Sequence, residues 1–123
     1  MKKMKKTLIV SVFISLLWGC NTTKTTQTMN LKALHTEEKA VQTHLLFTPT
    51  ADKVISVQIA KGEQLKEHVS EVPALFVCID GKAIYSDENG TKETLEAGNY
   101  VFIEANVKHK VEAIKESNFL LIK

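Results

Sequence analysis

From Thr43 onward, apolar and polar residues alternate with a period of two, the signature of strands with one buried face. Ile55, Val57 and Ile59 alternate with Ser56 and Gln58, which makes Lys53 to Ala60 a strand. His44 to Phe47 and Leu65 to Val69 read the same way. Pro73 to Ile79 is apolar throughout and is bounded by a proline and by Asp80-Gly81, so it is expected to be a strand buried on both faces. Ala83 to Ser86 and Thr91 to Leu95 flank Asn89-Gly90, a strong hairpin signal. Tyr100 to Ile103, Lys108 to Ala113 and Asn118 to Ile122 follow. About nine short strands with turns at this spacing predict an all-β barrel or double-sheet sandwich.

The chain before Thr43 has another character. Met1 to Lys6 is lysine-rich and Thr7 to Trp18 is mostly apolar, too short to span ~30 Å of hydrocarbon as a helix. This is the pattern of an export signal. The run ends in Leu17-Trp18-Gly19-Cys20, which resembles the lipobox of bacterial lipoproteins, in which the cysteine is lipidated and the preceding peptide removed. That resemblance implies a leader over 1–19 and a mature chain tethered to the cell envelope by acyl chains on Cys20. Asn21 follows the cysteine with no acidic cluster after it, which resembles the sorting of diderm lipoproteins to the periplasmic side of the outer membrane. Thr22 to Thr28 is a polar run with nothing large enough to build a core, so it reads as a tether. Leu31, Leu34 and Val41 have the spacing of one helical face, but the pattern is weak, and the segment equally suits an arm draped over the domain. The expected organisation is leader 1–19, tether and arm 20–42, and domain 43–123.

Composition matters only after the leader is subtracted. The 123 residues carry 16 lysines, no arginine and 14 acids. Four of the lysines, Lys2, Lys3, Lys5 and Lys6, lie in the leader, so the remaining chain is acidic by two charges. Nucleic acid is therefore not an expected partner. The lack of guanidinium groups also removes the planar fork best suited to carboxylates and phosphates. One domain is the natural count for this length.

Two histidines fall at informative spacings. Gly62, His68 and Gly81 align with the pattern G-x5-H-x-H-x3-E-x6-G, with Ser70 and Ala74 in place of its second histidine and its glutamate. Gly98 and His109 align with G-x5-P-x-G-x2-H-x3-N, with Glu104, Asn106 and Ala113 replacing its proline, glycine and asparagine. The two motifs, in this order over Val54 to Lys123, resemble those of the cupins. The resemblance implies an all-β, cupin-like jelly-roll barrel, often dimeric, with a ligand cavity at its mouth, and it implies no single activity.

In a full cupin site, three imidazoles and a carboxylate hold a divalent metal such as Fe, Mn, Ni or Zn. Two imidazoles remain here. Alternation places His68 and Ser70 on one face, Ala74, Phe76 and Cys78 on another, and His109 with Val111 on a third, giving a rather apolar interior. His68, Ser70, Phe76 and His109 are the expected ligand-binding residues. A catalytic metal normally keeps three protein ligands, so metal binding by His68 and His109 would need Glu104, Glu71 or Cys78 to swing in. The plainest alternative is two satisfied core histidines. Cys78, between Val77 and Ile79, reads as a small buried hydrophobe. Leu75, Val77 and Ile79 then face outward and need cover, from the arm, the other sheet or the second subunit of a homodimer.

Three readings follow. The first is a lipid-anchored, non-catalytic module that binds a small molecule, the second a metal-dependent cupin enzyme acting on a small organic or sugar-derived substrate, and the third an envelope interaction scaffold. Loss of one histidine and the glutamate favours the first or third over the second.

Overall fold

The computed structural model describes residues 29–123. The leader, Cys20 and the Thr22–Thr28 tether lie outside them. Among the described residues there are nine strands: β1 (Met29–Asn30), β2 (Val54–Ile59), β3 (Gln64–His68), β4 (Ala74–Asp80), β5 (Lys82–Asp87), β6 (Lys92–Glu96), β7 (Asn99–Ile103), β8 (His109–Ala113) and β9 (Ser117–Ile122). They form two antiparallel sheets, one ordered β1-β7-β4-β9-β2 and the other β3-β8-β5-β6. This is the expected all-β, jelly-roll architecture. No helix among the described residues is long and apolar enough to cross a membrane.

The core between the sheets is built by alternation. Ala74, Phe76 and Cys78 of β4 face Tyr85 of β5, Leu95 of β6 and Val111 of β8. Phe76 stacks on Phe119 of β9, with ring centroids 4.4 Å apart. Each such large side chain contributes about 1.5–3 kcal/mol by leaving water. Along β4 every residue from Ala74 to Cys78 is buried, as a strand covered on both faces must be.

The cover on the outer face comes from the segment before β2, the N-terminal arm together with Leu46 and Phe47. Leu75, Val77 and Tyr100 form a second cluster, packed against Leu31, Leu34, Leu46, Phe47 and Ile122. The arm is stitched in place by β1, where Met29 pairs with Tyr100 and Asn30 with Asn99. Leu31 N–H donates to the Gly98 carbonyl at 3.0 Å, and the Asn30 side chain caps the following 3₁₀ turn, Leu31–Leu34, by accepting from Lys32 N–H at 2.9 Å. This segment covers Leu75 and Val77, while Ile79, also expected to face outward, stays 50% exposed.

One expected strand is absent. His44 to Phe47 is not part of either sheet. A strand would send Leu46 and Phe47 to opposite faces, whereas both pack on the outer cluster while Leu45 stays exposed. Val41, expected to share a helical face with Leu31 and Leu34, is also exposed. The helix is only the single turn that carries the two leucines.

Two glycines are dictated by the turns. Gly90, at φ +85°, closes the β5–β6 hairpin, whose Asp87 Oδ1 accepts from the N–H groups of Asn89 and Thr91, both at 3.0 Å. Gly81, at φ +104°, links β4 to β5 so tightly that a Cβ there would lie 2.4 Å from the Glu116 carbonyl oxygen. At Gly90 a Cβ would meet nothing within 4 Å. Gly90→Ala is expected to cost only the left-handed backbone penalty of about 1–2 kcal/mol. Gly81→Ala adds a backbone collision to that penalty and should lower the urea midpoint further; equal midpoints for the two variants would contradict this packing.

Candidate functional site

The two histidines meet because β3 carries one extra residue. Gln64 and Leu65 pair with Glu112 and Val111 of β8, but further along His68, not Glu67, stands opposite His109. A bulge of this kind re-aims the side chains beyond it. Leu65 and Val111 already pack on the core, so strict alternation would have turned Glu67 inward; the bulge substitutes an imidazole. The rings of His68 and His109 lie 4.3 Å apart, centroid to centroid, tilted by 59°. His109 is 3% exposed, while His68 opens to solvent, so the pair forms the rim of the barrel mouth.

Both rings are held in the same tautomer. His68 Nδ1 is 2.8 Å from the Lys66 carbonyl oxygen and His109 Nδ1 is 2.9 Å from that of Val107. A carbonyl only accepts, so each Nδ1 carries the proton, and the lone pair of each neutral ring resides on Nε2. Burial lowers the pKa of His109 below its usual value; the Val107 carbonyl opposes that shift, His68 reinforces it and Asp87 opposes it. His109 is therefore neutral at pH 7.

Tyr85 completes the arrangement. Its buried ring lies nearly parallel to His109, with centroids 5.9 Å apart, and its hydroxyl donates to Asp87 Oδ2 at 3.2 Å. Burial foremost, then the Asp87 carboxylate, raises its pKa, so the phenol stays protonated. His109 is thus held between His68 and Tyr85. Tyr85 is not among the residues expected at the site; it shares the inward face of β5 with Ala83, stands opposite Val111 and lies two residues from Asp87, the residue paired with His109.

The other expected site residues divide. Phe76 joins both histidines at a cavity of about 20 Å³, closed otherwise by apolar side chains such as Leu65, Val111 and Leu121. Ser70 does not reach it. It lies beyond the end of β3, its hydroxyl donates to the Val72 carbonyl at 2.6 Å, and its own carbonyl accepts from Asn106 N–H at 2.7 Å. The face that His68 and Ser70 were expected to share ends with the strand, and Ser70 clips two loops together instead. Asn106, in the slot of a motif glycine, keeps the glycine-like backbone at φ +61°, a conformation that asparagine tolerates better than most residues.

The cavity has room for about one water. Drug-sized ligands need roughly 300–1,000 Å³, so this cavity does not enclose one.

The donor set does not fit a resident catalytic metal. Among the described residues no group of three His, Cys, Asp or Glu side chains is placed to hold an ion. Glu71 and Glu104 are exposed. Cys78 is buried in the core, its thiol donates to the Asp80 carbonyl at 3.6 Å, and burial pushes its pKa up to about 11. It therefore supplies no thiolate near neutral pH. The three groups expected to assist the histidines are not assembled around them.

Comparison with known proteins agrees with the fold. Residues 55–122 match the family described as cupin domain. Among solved structures, a cupin superfamily protein from Desulfitobacterium hafniense superposes with a TM-score of 0.52 at 18% identity, covering 58% of this chain and 77% of that one. A cupin-2 domain protein from Shewanella frigidimarina gives 0.52 at 19%, covering 66% and 83%. A predicted oxalate decarboxylase from Thermotoga maritima gives 0.51 at 19%, covering 56% and 62%. At these identities the likeness is one of fold. No match is found among curated proteins.

The depressed pKa of His109 gives a pH dependence of definite sign. Below the ordinary value of 6.5 the unfolded chain takes up a proton at His109 before the folded chain does. Its neutral state therefore contributes stability that is intact above about pH 6.5 and is lost as the pH falls through the lower folded value. Unfolding free energies measured from pH 7.5 to 5 should decline, and His109→Gln should flatten the decline. An NMR titration placing the His109 midpoint above 6.5 would contradict the assignment.

Proposed function

The chain belongs to the cupin domain family, and on that premise we propose that it is a lipid-anchored, non-catalytic module of the bacterial cell envelope that binds a small molecule at the barrel mouth. One observation carries the reading. The carbonyls of Lys66 and Val107 occupy both Nδ1 atoms, so the pair offers two Nε2 lone pairs as acceptors. The ligand this suits presents hydroxyl or ammonium donors to the rim and leans an apolar part on the mouth side chains around Phe76. Proton-transfer chemistry has less support, because both Nδ1 protons are engaged by backbone rather than by a carboxylate that would stabilise an imidazolium. Cys20 would carry the acyl anchor, placing the mouth in the periplasm of a diderm cell.

A second reading rests on the same tautomer. Histidines that ligate metals usually donate their other ring N–H to a carbonyl or carboxylate, and the Thermotoga maritima relative is a predicted oxalate decarboxylase. A metal-dependent enzyme would need a third donor besides His68 and His109.

Elemental analysis and thermal shift on the purified chain, beside a His68→Ala, His109→Ala double variant, separate the readings. The proposal expects no stoichiometric metal, and a rise in Tm with some member of a panel of sugars and small amines that the double variant lacks. A ligand present at 100 times its Kd stabilises by about 2.7 kcal/mol, which is easily resolved for a domain of this size. Near-stoichiometric Fe, Mn, Ni or Zn that disappears in the double variant would instead establish the enzyme. Neither response would leave an interaction scaffold.

A further inference from the structure

The chain has four histidines, and the fold places them in two pairs. One is the rim pair described above. The other lies in the segment that covers β4, where the rings of His35 and His44 stand 5.6 Å apart, centroid to centroid, with their planes 68° apart. Both residues are exposed. The Nδ1 atoms of the rim pair are taken by carbonyls, whereas among the described residues neither His35 nor His44 has a hydrogen-bond partner for its ring.

The bonding of the segment itself brings the second pair together. The Gln42 side chain holds the Glu37 backbone from both sides, its carbonyl accepting from Glu37 N–H at 3.4 Å and its amide group donating to the Glu37 carbonyl. Lys39 N–H donates to the same carbonyl at 3.0 Å. His35 and His44 lie two residues further out on each leg of the loop so closed. The loop surrounds a cleft of about 390 Å³ with Glu37, Gln42 and His44 among its walls.

This spacing is that of two ligands on one metal ion. With metal–nitrogen bonds of about 2.0–2.1 Å, two imidazoles on a tetrahedral ion have ring centres roughly 5 Å apart, a distance that rotation of two exposed side chains supplies. Imidazole nitrogen suits zinc, copper and nickel. No third His, Cys, Asp or Glu stands with the pair among the described residues. Water therefore fills the other positions, for which the cleft has room, and the ion is exchangeable, unlike the fully ligated ion of a structural site.

The place of the pair in the fold says what the ion does. Leu34 precedes His35, and Leu46 and Phe47 follow closely on His44; all three pack on the cluster of Leu75, Val77 and Tyr100. We propose that His35 and His44 bind a divalent ion of the zinc class as a clasp, which ties the two legs of the covering segment together over the outer face of β4. Closing a loop through a metal removes conformations that the open segment samples, so the clasp steadies a cover that has little regular structure of its own.

The test uses the full chain with Cys20→Ser throughout, so that the cysteine outside the described residues does not compete for the ion; Cys78 is buried. After EDTA treatment and desalting, Zn²⁺ is titrated by calorimetry and followed on the ring resonances of all four histidines. The proposal expects one micromolar site per chain, shifts at His35 and His44, and binding weakened about tenfold or more in His35→Gln and in His44→Gln. The His68→Ala, His109→Ala variant should keep the site. Hydrogen exchange at Leu31, whose N–H bonds the Gly98 carbonyl, should slow when Zn²⁺ binds, and the His44→Gln chain should not show this. Binding that follows His68 and His109, or survives both single variants, overturns the site, as does a chain that takes up no Zn²⁺. Binding at His35 and His44 that leaves Leu31 exchange unchanged overturns the clasp. None of these outcomes depends on the ligand proposed for the rim.

Discussion

Strand β4 has to hide both of its faces, and most of the molecule is arranged around that requirement. Its inward residues Ala74, Phe76 and Cys78 need the opposing sheet, which supplies Tyr85, Leu95 and Val111. Its outward residues Leu75 and Val77 need a layer that the jelly roll itself does not provide. A segment poor in regular structure fills that need. The N-terminal arm contributes one 3₁₀ turn, a two-residue strand and four apolar side chains, and it is ordered by the burial it performs more than by any propensity of its own.

The site depends on a smaller constraint, the extra residue in β3. Without it Glu67 would stand against His109, a carboxylate beside a buried imidazole, and His68 would point into solvent. With it, two imidazoles touch at the rim, each tied by Nδ1 to a carbonyl two residues upstream. Tyr85 and Asp87 close the other side of His109. The barrel keeps the backbone features of a family site, including the left-handed residue at Asn106, but it fills the interior with apolar side chains until about one water's worth of space remains. On the reading proposed above, the two imidazoles at the rim, over a packed core, meet a ligand's polar edge and do not enclose a substrate.

Much of this was legible in the amino-acid sequence. Strand positions from Val54 onward follow from period-two alternation, because a half-buried strand has no other way to arrange its side chains. The Asn89-Gly90 hairpin and the tight turn at Gly81 follow from backbone conformations that few residues adopt. The motif spacings brought His68 and His109 together, with Phe76 beneath them. Alternation carried too far past the end of a strand misplaced Ser70, since a side chain in a loop is directed by the loop's own hydrogen bonds. His44 to Phe47 looked like a strand because apolar runs of four residues do not declare whether they pair or merely pack.

What remained for the tertiary structure to decide was everything that depends on two distant segments at once. The bulge opposite His109 is a property of the β3–β8 pairing and not of either strand. The ring of Tyr85 against His109 and the carbonyls that set both tautomers are likewise contacts across the fold or along its turns, invisible to periodicity. The cover over Leu75 and Val77 could have come from several sources; only packing selected the arm. Sequence by itself determined which faces are apolar, because that is written in the order of side chains. Which of those faces are hidden, and by what, was decided by the closure of the sheets.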